Sequence, residues 1–288
     1  MPNKPSGQPS GKNRTAFQRF QEQLKHVDLV IEVLDARAPL SSRHPRTAEL
    51  FGTKPRLIIL SKKDLGDGQR LKQWLDYFEE PENEAQAMLL SFKTQENKAN
   101  VFTAALALTE KKRQQLAARG ILPRPVRVCV VGMPNVGKST FINWVIGQKR
   151  AKTGDKPGIT KGPQWVRVHP QIELLDTPGI LPNANFAEST AQRLALLNLL
   201  PETSYDVEEI AWSGIQLMKS QYPNLLAKYM GSGDDKTPDA TLEQLAIDRK
   251  FVKTGGKPDS LRAANVFLQD LRQGKLGRVT LDQPPQKL

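Results

Sequence analysis

The run Gly132-Met133-Pro134-Asn135-Val136-Gly137-Lys138-Ser139-Thr140 has the spacing G-x-x-x-x-G-K-[ST]. That spacing suits a chain of phosphates. The glycines let successive backbone N–H groups turn toward anionic oxygens, and the helix that follows adds its positive N-terminal end. The loop from Asn135 through Val136 and Gly137 to Lys138, Ser139 and Thr140 would then wrap the phosphates. Lys138 would reach the β- and γ-phosphates, and the Ser139 hydroxyl would ligate Mg²⁺. The required context is present: "VRVCVVG" (126–132) reads as a strand and 138–147 as a helix.

Downstream, "LLDTPG" (174–179) ends an apolar run in an aspartate. Asp176 there can hold Mg²⁺ through water, and Gly179 can offer its N–H to a γ-phosphate. Between the two motifs lies "KPGITKG" (156–162), where Thr160 is placed to complete the Mg²⁺ shell and sense the γ-phosphate. That loop is expected to order with the triphosphate and loosen after hydrolysis. Lys138, Thr160 and Gly179 are the candidate catalytic groups.

A second chemistry sits upstream. "SKKDL" (61–65) follows the apolar run "RLIIL" (56–60). The Asp64 carboxylate can accept parallel hydrogen bonds from N1–H and the 2-amino group of guanine, a pair adenine does not offer. The Lys62 stem can cover the base plane. The next apolar run ends in "LSFKT" (90–94), whose backbone from Ser91 through Phe92 to Lys93 can meet the base oxygen. Ser61, Lys62, Asp64, Ser91, Phe92 and Lys93 form the candidate guanine set. The boxes run base, base, phosphate, switch, switch, whereas ordinary small GTPases run phosphate, switch, switch, base, base.

The elements that must position these loops alternate. Buried strands are expected at 27–35, 56–60, 87–91 and 126–132, paired strands at 165–169 and 172–176, and helices at 16–26, 46–50, 68–80, 98–119 and 138–147. This predicts an α/β fold with a doubly wound, mostly parallel sheet, whose loops gather at the carboxyl ends of the strands. A site built that way depends on where strands lie, not on where the chain starts. A rotated box order is therefore tolerated if residues 98–125 join the old ends. Beyond residue 185 helical periods dominate (187–200, 206–220, 223–230, 240–252 and 260–273), with "RVTL" (278–281) a late strand. The expected division is a basic tail and helix at 1–22, a nucleotide domain at 23–182, and a mainly helical domain at 183–288.

The chain has 288 residues and a net charge of +12. That charge favours a polyanionic partner such as RNA. Basic clusters fall at 1–25, 111–127 and 245–278. No apolar run is long enough to span a membrane, and the first twenty residues lack a signal-peptide core. A cytoplasmic location is expected, with organelle targeting left open, and so is a monomer. The single cysteine, Cys129, reads as a small core residue and leaves no intramolecular disulfide.

Taken together, "VDLVIEVLDARAPLSSRHP", "SKKD", "GMPNVGKSTFIN", "AKTGDKPGITKGPQWV", "ELLDTPGIL" and "GKLGRVTLDQP" resemble the circularly permuted GTPases, and within them the ribosome biogenesis GTPase A family. The resemblance spans about residues 23–286. It implies a permuted P-loop GTPase domain, a C-terminal RNA-binding domain, and a GTP-hydrolysing factor in late assembly of the large (50S) subunit. Hydrolysis would be stimulated by the ribosomal particle. It also implies Mg²⁺, and K⁺ held by Asn135, because Ile180 stands where a water-orienting Gln is common.

Three positions depart from the family pattern. The family's N-terminal "PGHM" segment with its catalytic His is not found, and His26, His44 and His169 stand in other contexts. Ser61 replaces the usual Asn, which predicts a lost tie to the phosphate loop and weaker nucleotide binding. Phe92 replaces a small residue. An alternative reading is a GTP-dependent rRNA-binding scaffold with little intrinsic hydrolysis.

Overall fold

A computed structural model describes residues 16–80, 85–93, 97–122, 124–147, 165–175, 184–231 and 242–285. Thr160, Asp176, Gly179 and Ile180 lie outside the described residues, as does the tail 1–15.

The Val-, Ile- and Leu-rich runs form the centre of the sheet because both of their faces are covered. β1 (Leu29–Asp35) is buried at every position, β2 (Arg56–Ser61) at all but its first, and β4 (Val126–Val131) at all but Arg127. β3 (Ala85–Leu89), β5 (Trp165–His169) and β6 (Ile172–Leu175) complete a six-stranded sheet in the order β3-β2-β1-β4-β6-β5. All neighbours are parallel except the β5–β6 pair. Cys129 is buried in this sheet, which pushes its thiol up to about 12.

Renumbering the strands from β4 turns the order into 6-5-4-1-3-2, an unbroken doubly wound sheet. In that numbering the boxes recover the sequence phosphate, switch, switch, base, base. The chain is permuted and the sheet is not.

The joint is α4 (Lys98–Ala118), which buries Val101, Ala104, Ala105 and Thr109 against the sheet. It is fastened at Asp28, just before β1. The Asp28 carboxylate accepts from Lys112 Nζ at 2.9 Å, Arg124 Nη1 at 2.7 Å and the Arg127 backbone N–H at 3.0 Å. Burial works to raise its pKa, but these donors hold it below the ordinary value. Arg127 also stacks over Trp165, 4.9 Å from the ring centre. Lys112 and Arg124 of the 111–127 cluster thus share one carboxylate, while both side chains stay about half exposed. The remaining helices of this half are α1 (Ala16–Leu24), α2 (Thr47–Phe51), α3 (Gly68–Phe78) and α5 (Lys138–Ile146).

The C-terminal region is helical: α6 (Glu188–Leu196), α7 (Val207–Gln221), α8 (Pro223–Tyr229), α9 (Leu242–Asp248) and α10 (Ser260–Gln273). α7 packs closely on its neighbours at Gly214, where a Cβ would meet Leu196 at 2.5 Å and Phe267 at 2.9 Å. α9 stops well short of residue 252 because Lys250 adopts a positive φ of 55° and the chain turns back through a Val252–Pro258 bridge.

"RVTL" is not a strand. Its backbone donors go to loop acceptors: Val279 N–H to the Leu65 carbonyl at 3.0 Å and Leu281 N–H to the Arg37 carbonyl at 2.6 Å. β-branched Val279 and Thr280 suit an extended backbone, and here Val279, Thr280 and Leu281 are buried against loops rather than paired with a strand. One apolar cluster runs from Val33, Met133 and Val136 through Leu197 and Ile215 to Phe267, so the helical region shares a core with the sheet.

Candidate nucleotide-binding site

The phosphate loop leaves β4 at Gly132. Its φ is 151°, and a Cβ there would stand 2.3 Å from the Val33 carbonyl oxygen. Only glycine fits against β1 at that point. Asn135 (φ 59°) and Gly137 (φ 105°) turn the loop, and Gly137 caps α5. Val136 is fully buried and anchors the loop, while Asn135, Ser139 and Thr140 are exposed. Lys138 curls back so that its Nζ donates to the Met133 carbonyl at 2.6 Å. Burial lowers its pKa, so an incoming phosphate would relieve a poorly solvated cation.

The base loops meet this loop directly. The Ser61 hydroxyl, fully buried, donates to the Val136 carbonyl at 2.5 Å. The expected loss of this tie does not occur, because the end of β2 stands close enough for the shorter side chain to reach. The premise for weaker binding falls with it. Lys62, at φ 55°, donates to the Asn135 carbonyl at 3.0 Å and to Asp35 Oδ2 at 2.8 Å. The Phe92 ring packs 5.8 Å from the centres of both Phe141 and Trp144, tying the second base loop to α5. The position of a Gly137 Cβ lies 3.4 Å from Phe92 and 3.7 Å from the Ser61 hydroxyl, so three loops converge there.

Asp64 sits in a 3₁₀ turn at Lys63–Leu65. Its Oδ1 accepts from the Ser91 hydroxyl at 3.1 Å and its Oδ2 from Lys93 Nζ at 2.5 Å. Burial pushes its pKa upward, and these donors bring it below the ordinary value, so the carboxylate stays an acceptor. The structure thus brings together Ser61, Lys62, Asp64, Ser91, Phe92 and Lys93 with the phosphate loop. Thr160, Asp176 and Gly179 lie outside the described residues.

Sequence reasoning missed two residues. Asp35, fully buried at the end of β1, takes a bidentate pair from Arg37 (Nε to Oδ1 at 2.9 Å, Nη2 to Oδ2 at 2.8 Å) as well as Lys62. Burial alone would raise its pKa, but Arg37 and Lys62 hold it far below the ordinary range. Arg37 in turn donates to the Arg272 carbonyl in α10 at 3.0 Å. The available signal was an acid ending a buried strand with an arginine two residues on. The other missed contact is the Asn198 carbonyl after α6, which accepts from Asn135 Nδ2 at 2.8 Å.

Known proteins match this arrangement. A family model described as a 50S ribosome-binding GTPase matches residues 127–213. That match opens in β4, where an unpermuted chain would begin. Ribosome biogenesis GTPase A of Bacillus cereus is 35% identical over 272 residues, covering 93% of this chain and 90% of its own. The Thermotoga maritima protein of that name is 30% identical, with 93% and 91% covered. The crystal structure of GNP-bound YlqF from T. maritima superimposes with a TM-score of 0.65 at 28% identity, covering 94% of this chain and 99% of that one. The chain therefore belongs to the ribosome biogenesis GTPase A family and is a GTP-hydrolysing enzyme on a circularly permuted P-loop fold.

Proposed function

We propose that this GTPase acts late in maturation of the large ribosomal subunit, binding rRNA in its GTP-bound form. The nucleotide part of this reading rests on one observation above others: Ser61 and Lys62 of the base loop both bond the backbone of the phosphate loop. A single nucleotide can therefore bridge the two. Guanine would take both oxygens of Asp64 while the phosphates lie along Asn135–Thr140. Lys138 would leave the Met133 carbonyl to follow them, carrying its charge to the β- and γ-phosphates.

Mg²⁺ would be held by Ser139, exposed in the first turn of α5, together with Thr160 and Asp176. When bound it neutralises charge that develops on the phosphates. Asn135 is the proposed K⁺ ligand, its amide nitrogen already steadied by the Asn198 carbonyl.

The RNA part of the reading rests on the relatives' name and on charge. The region 183–288 would carry it, with Arg249, Lys250, Lys253, Lys257 and Arg262 exposed around one turn between α9 and α10. Partners are then GTP or GDP and a precursor of the large subunit, met by a monomer in the cytoplasm. Among the described residues no helix is long and apolar enough to cross a membrane. Co-sedimentation with large-subunit precursors, loaded with GTP or GDP, tests the assignment, and equal recovery in both states would overturn GTP dependence. Single-turnover hydrolysis on those particles, in K⁺ and in Na⁺, separates a stimulated GTPase from a scaffold that barely turns over.

A further inference from the structure

The segment "GKLGRVTLDQP" (274–284) carries no nucleotide box, yet it runs along the back of the guanine loop. Thr280 is fully buried there. Its hydroxyl donates to the Ala36 carbonyl at 3.1 Å and accepts from the Asp67 N–H at 3.1 Å, joining the end of β1 to the loop that carries Asp64. Its backbone N–H donates to the Tyr222 hydroxyl at 2.9 Å, and its carbonyl accepts from Arg70 Nη1 at 2.7 Å.

Its neighbours repeat the pattern. Val279 N–H caps the Leu65 carbonyl at 3.0 Å and Leu281 N–H the Arg37 carbonyl at 2.6 Å. The Asp282 carboxylate accepts from Leu40 N–H at 2.9 Å, Ser41 N–H at 2.7 Å and the Ser41 hydroxyl at 2.6 Å. At Gly274, which ends α10, a Cβ would press to 2.8 Å from Leu65. Asp64 is thus followed at positions 65 and 67 by backbone held from the far end of the chain.

We infer that residues 279–282 are part of the guanine site, with Thr280 the positioning residue that sets where Asp64 presents its two oxygens. Reading guanine needs both oxygens aligned with N1–H and the 2-amino group. A loop released from Thr280 keeps Asp64 but loses that alignment. Linkage requires the reverse as well: a bound guanine nucleotide must steady the C-terminal segment by the same free energy. The helical region carrying that segment would then be coupled to nucleotide occupancy through the base, not only through the γ-phosphate. This rests on Asp64 being the base-reading carboxylate.

The test compares GTP with ITP, which lacks the 2-amino group, on the full chain. Thr280→Val keeps shape and burial but strands the Asp67 N–H and the Ala36 carbonyl. It is expected to weaken GTP and GDP binding about three- to tenfold, the range for one or two lost hydrogen bonds. It is also expected to narrow the GTP-over-ITP preference. Thr280→Ser, which retains the hydroxyl, should keep both near wild type. An unchanged preference in Thr280→Val overturns the inference, whatever happens to overall affinity, because general destabilisation does not distinguish the two bases.

Amide exchange on the wild-type chain gives a second readout that needs no variant. GDP is expected to slow exchange at Val279 and Leu281, and equal exchange with and without GDP overturns the coupling. Asp64→Asn serves as the separate control. If that change leaves the GTP-over-ITP preference intact, the base-reading assignment fails on its own account.

Discussion

The two halves of the nucleotide site are held in opposite ways. The phosphate loop is shaped mostly by its own backbone, with Gly132, Asn135 and Gly137 at positive φ and a short reach from Lys138 to Met133. The base loop is shaped by the rest of the molecule. Ser61 and Lys62 are fixed to the phosphate loop, Lys62 to Asp35, and residues 65 and 67 to the C-terminal segment. A phosphate chain is recognised by many N–H groups and tolerates loop adjustment, whereas a base edge is recognised by two directed bonds. The second task needs the more rigid support.

Substitutions separate the two modes of support. The largest effect is expected at Gly132→Ala in the self-shaped loop. The added methyl meets backbone, the Val33 carbonyl, so no side chain can yield to relieve it. A loss of more than about 4 kcal/mol in chemical denaturation and no measurable GTP binding are expected. Near-normal stability would mean that the loop rearranges freely and is not set by its own glycines.

Next comes Asp35→Asn, which strikes the support of the base loop. Arg37 would stay buried without its counter-charge and Lys62 would lose its anchor, costing about 3–5 kcal/mol. Because the folded carboxyl is held well below its ordinary value of 3.8, its contribution is complete above that pH. It declines as pH falls below, where the unfolded chain takes up the proton first. A wild-type stability profile across acid pH should therefore be steeper than that of Asp35→Asn.

The same contrast explains what the sequence disclosed. The phosphate loop was legible because its determinants are local: two glycines, a lysine, a strand before and a helix after. The sheet was legible because β1, β2 and β4 are apolar almost throughout, which only a sheet covered on both faces requires. Support that arrives through tertiary contact left weaker marks. Thr280 meets Asp67 across 213 positions, and nothing in "RVTL" distinguishes an extended segment paired with loops from one paired with a strand. A count along the chain likewise does not see that Lys112 and Arg124 of the 111–127 cluster share the Asp28 carboxylate. Ser61 was judged by length alone, and its reach depended on how near β2 comes to Val136.

Asp64→Asn probes the reading itself at smaller cost. The Asn amide nitrogen is a donor facing the 2-amino donor of guanine, whereas it can donate to the 2-oxo group that xanthine carries at the same place. GTP affinity should fall by about 1.5–3 kcal/mol, the value of hydrogen bonds to a charged group, while xanthine nucleotides gain. Competition between GTP and XTP measures the switch. Lys93, three-quarters exposed, is bonded to Asp64 mainly at the surface, and its removal should matter far less.

A smaller effect than that of Asp64→Asn is expected at Ser61→Ala, and it bears most directly on how the base and phosphate halves are joined. Ser61→Ala removes one buried hydroxyl from the Val136 carbonyl, worth about 1 kcal/mol or roughly fivefold in nucleotide affinity. Ser61→Asn, the residue usual in the family, is not expected to improve binding here. The space it would enter is bounded by Phe92 and Gly137, and Phe92 is itself held between Phe141 and Trp144. Forcing a larger side chain into a filled site costs about 1–3 kcal/mol. Paired with Phe92→Ala, the same Asn gains room, so the double variant should lose less affinity than the two single changes sum to. Measured by GDP titration of all four chains, strict additivity would mean that Ser61 and Phe92 act independently and do not share one contact between the base and phosphate loops.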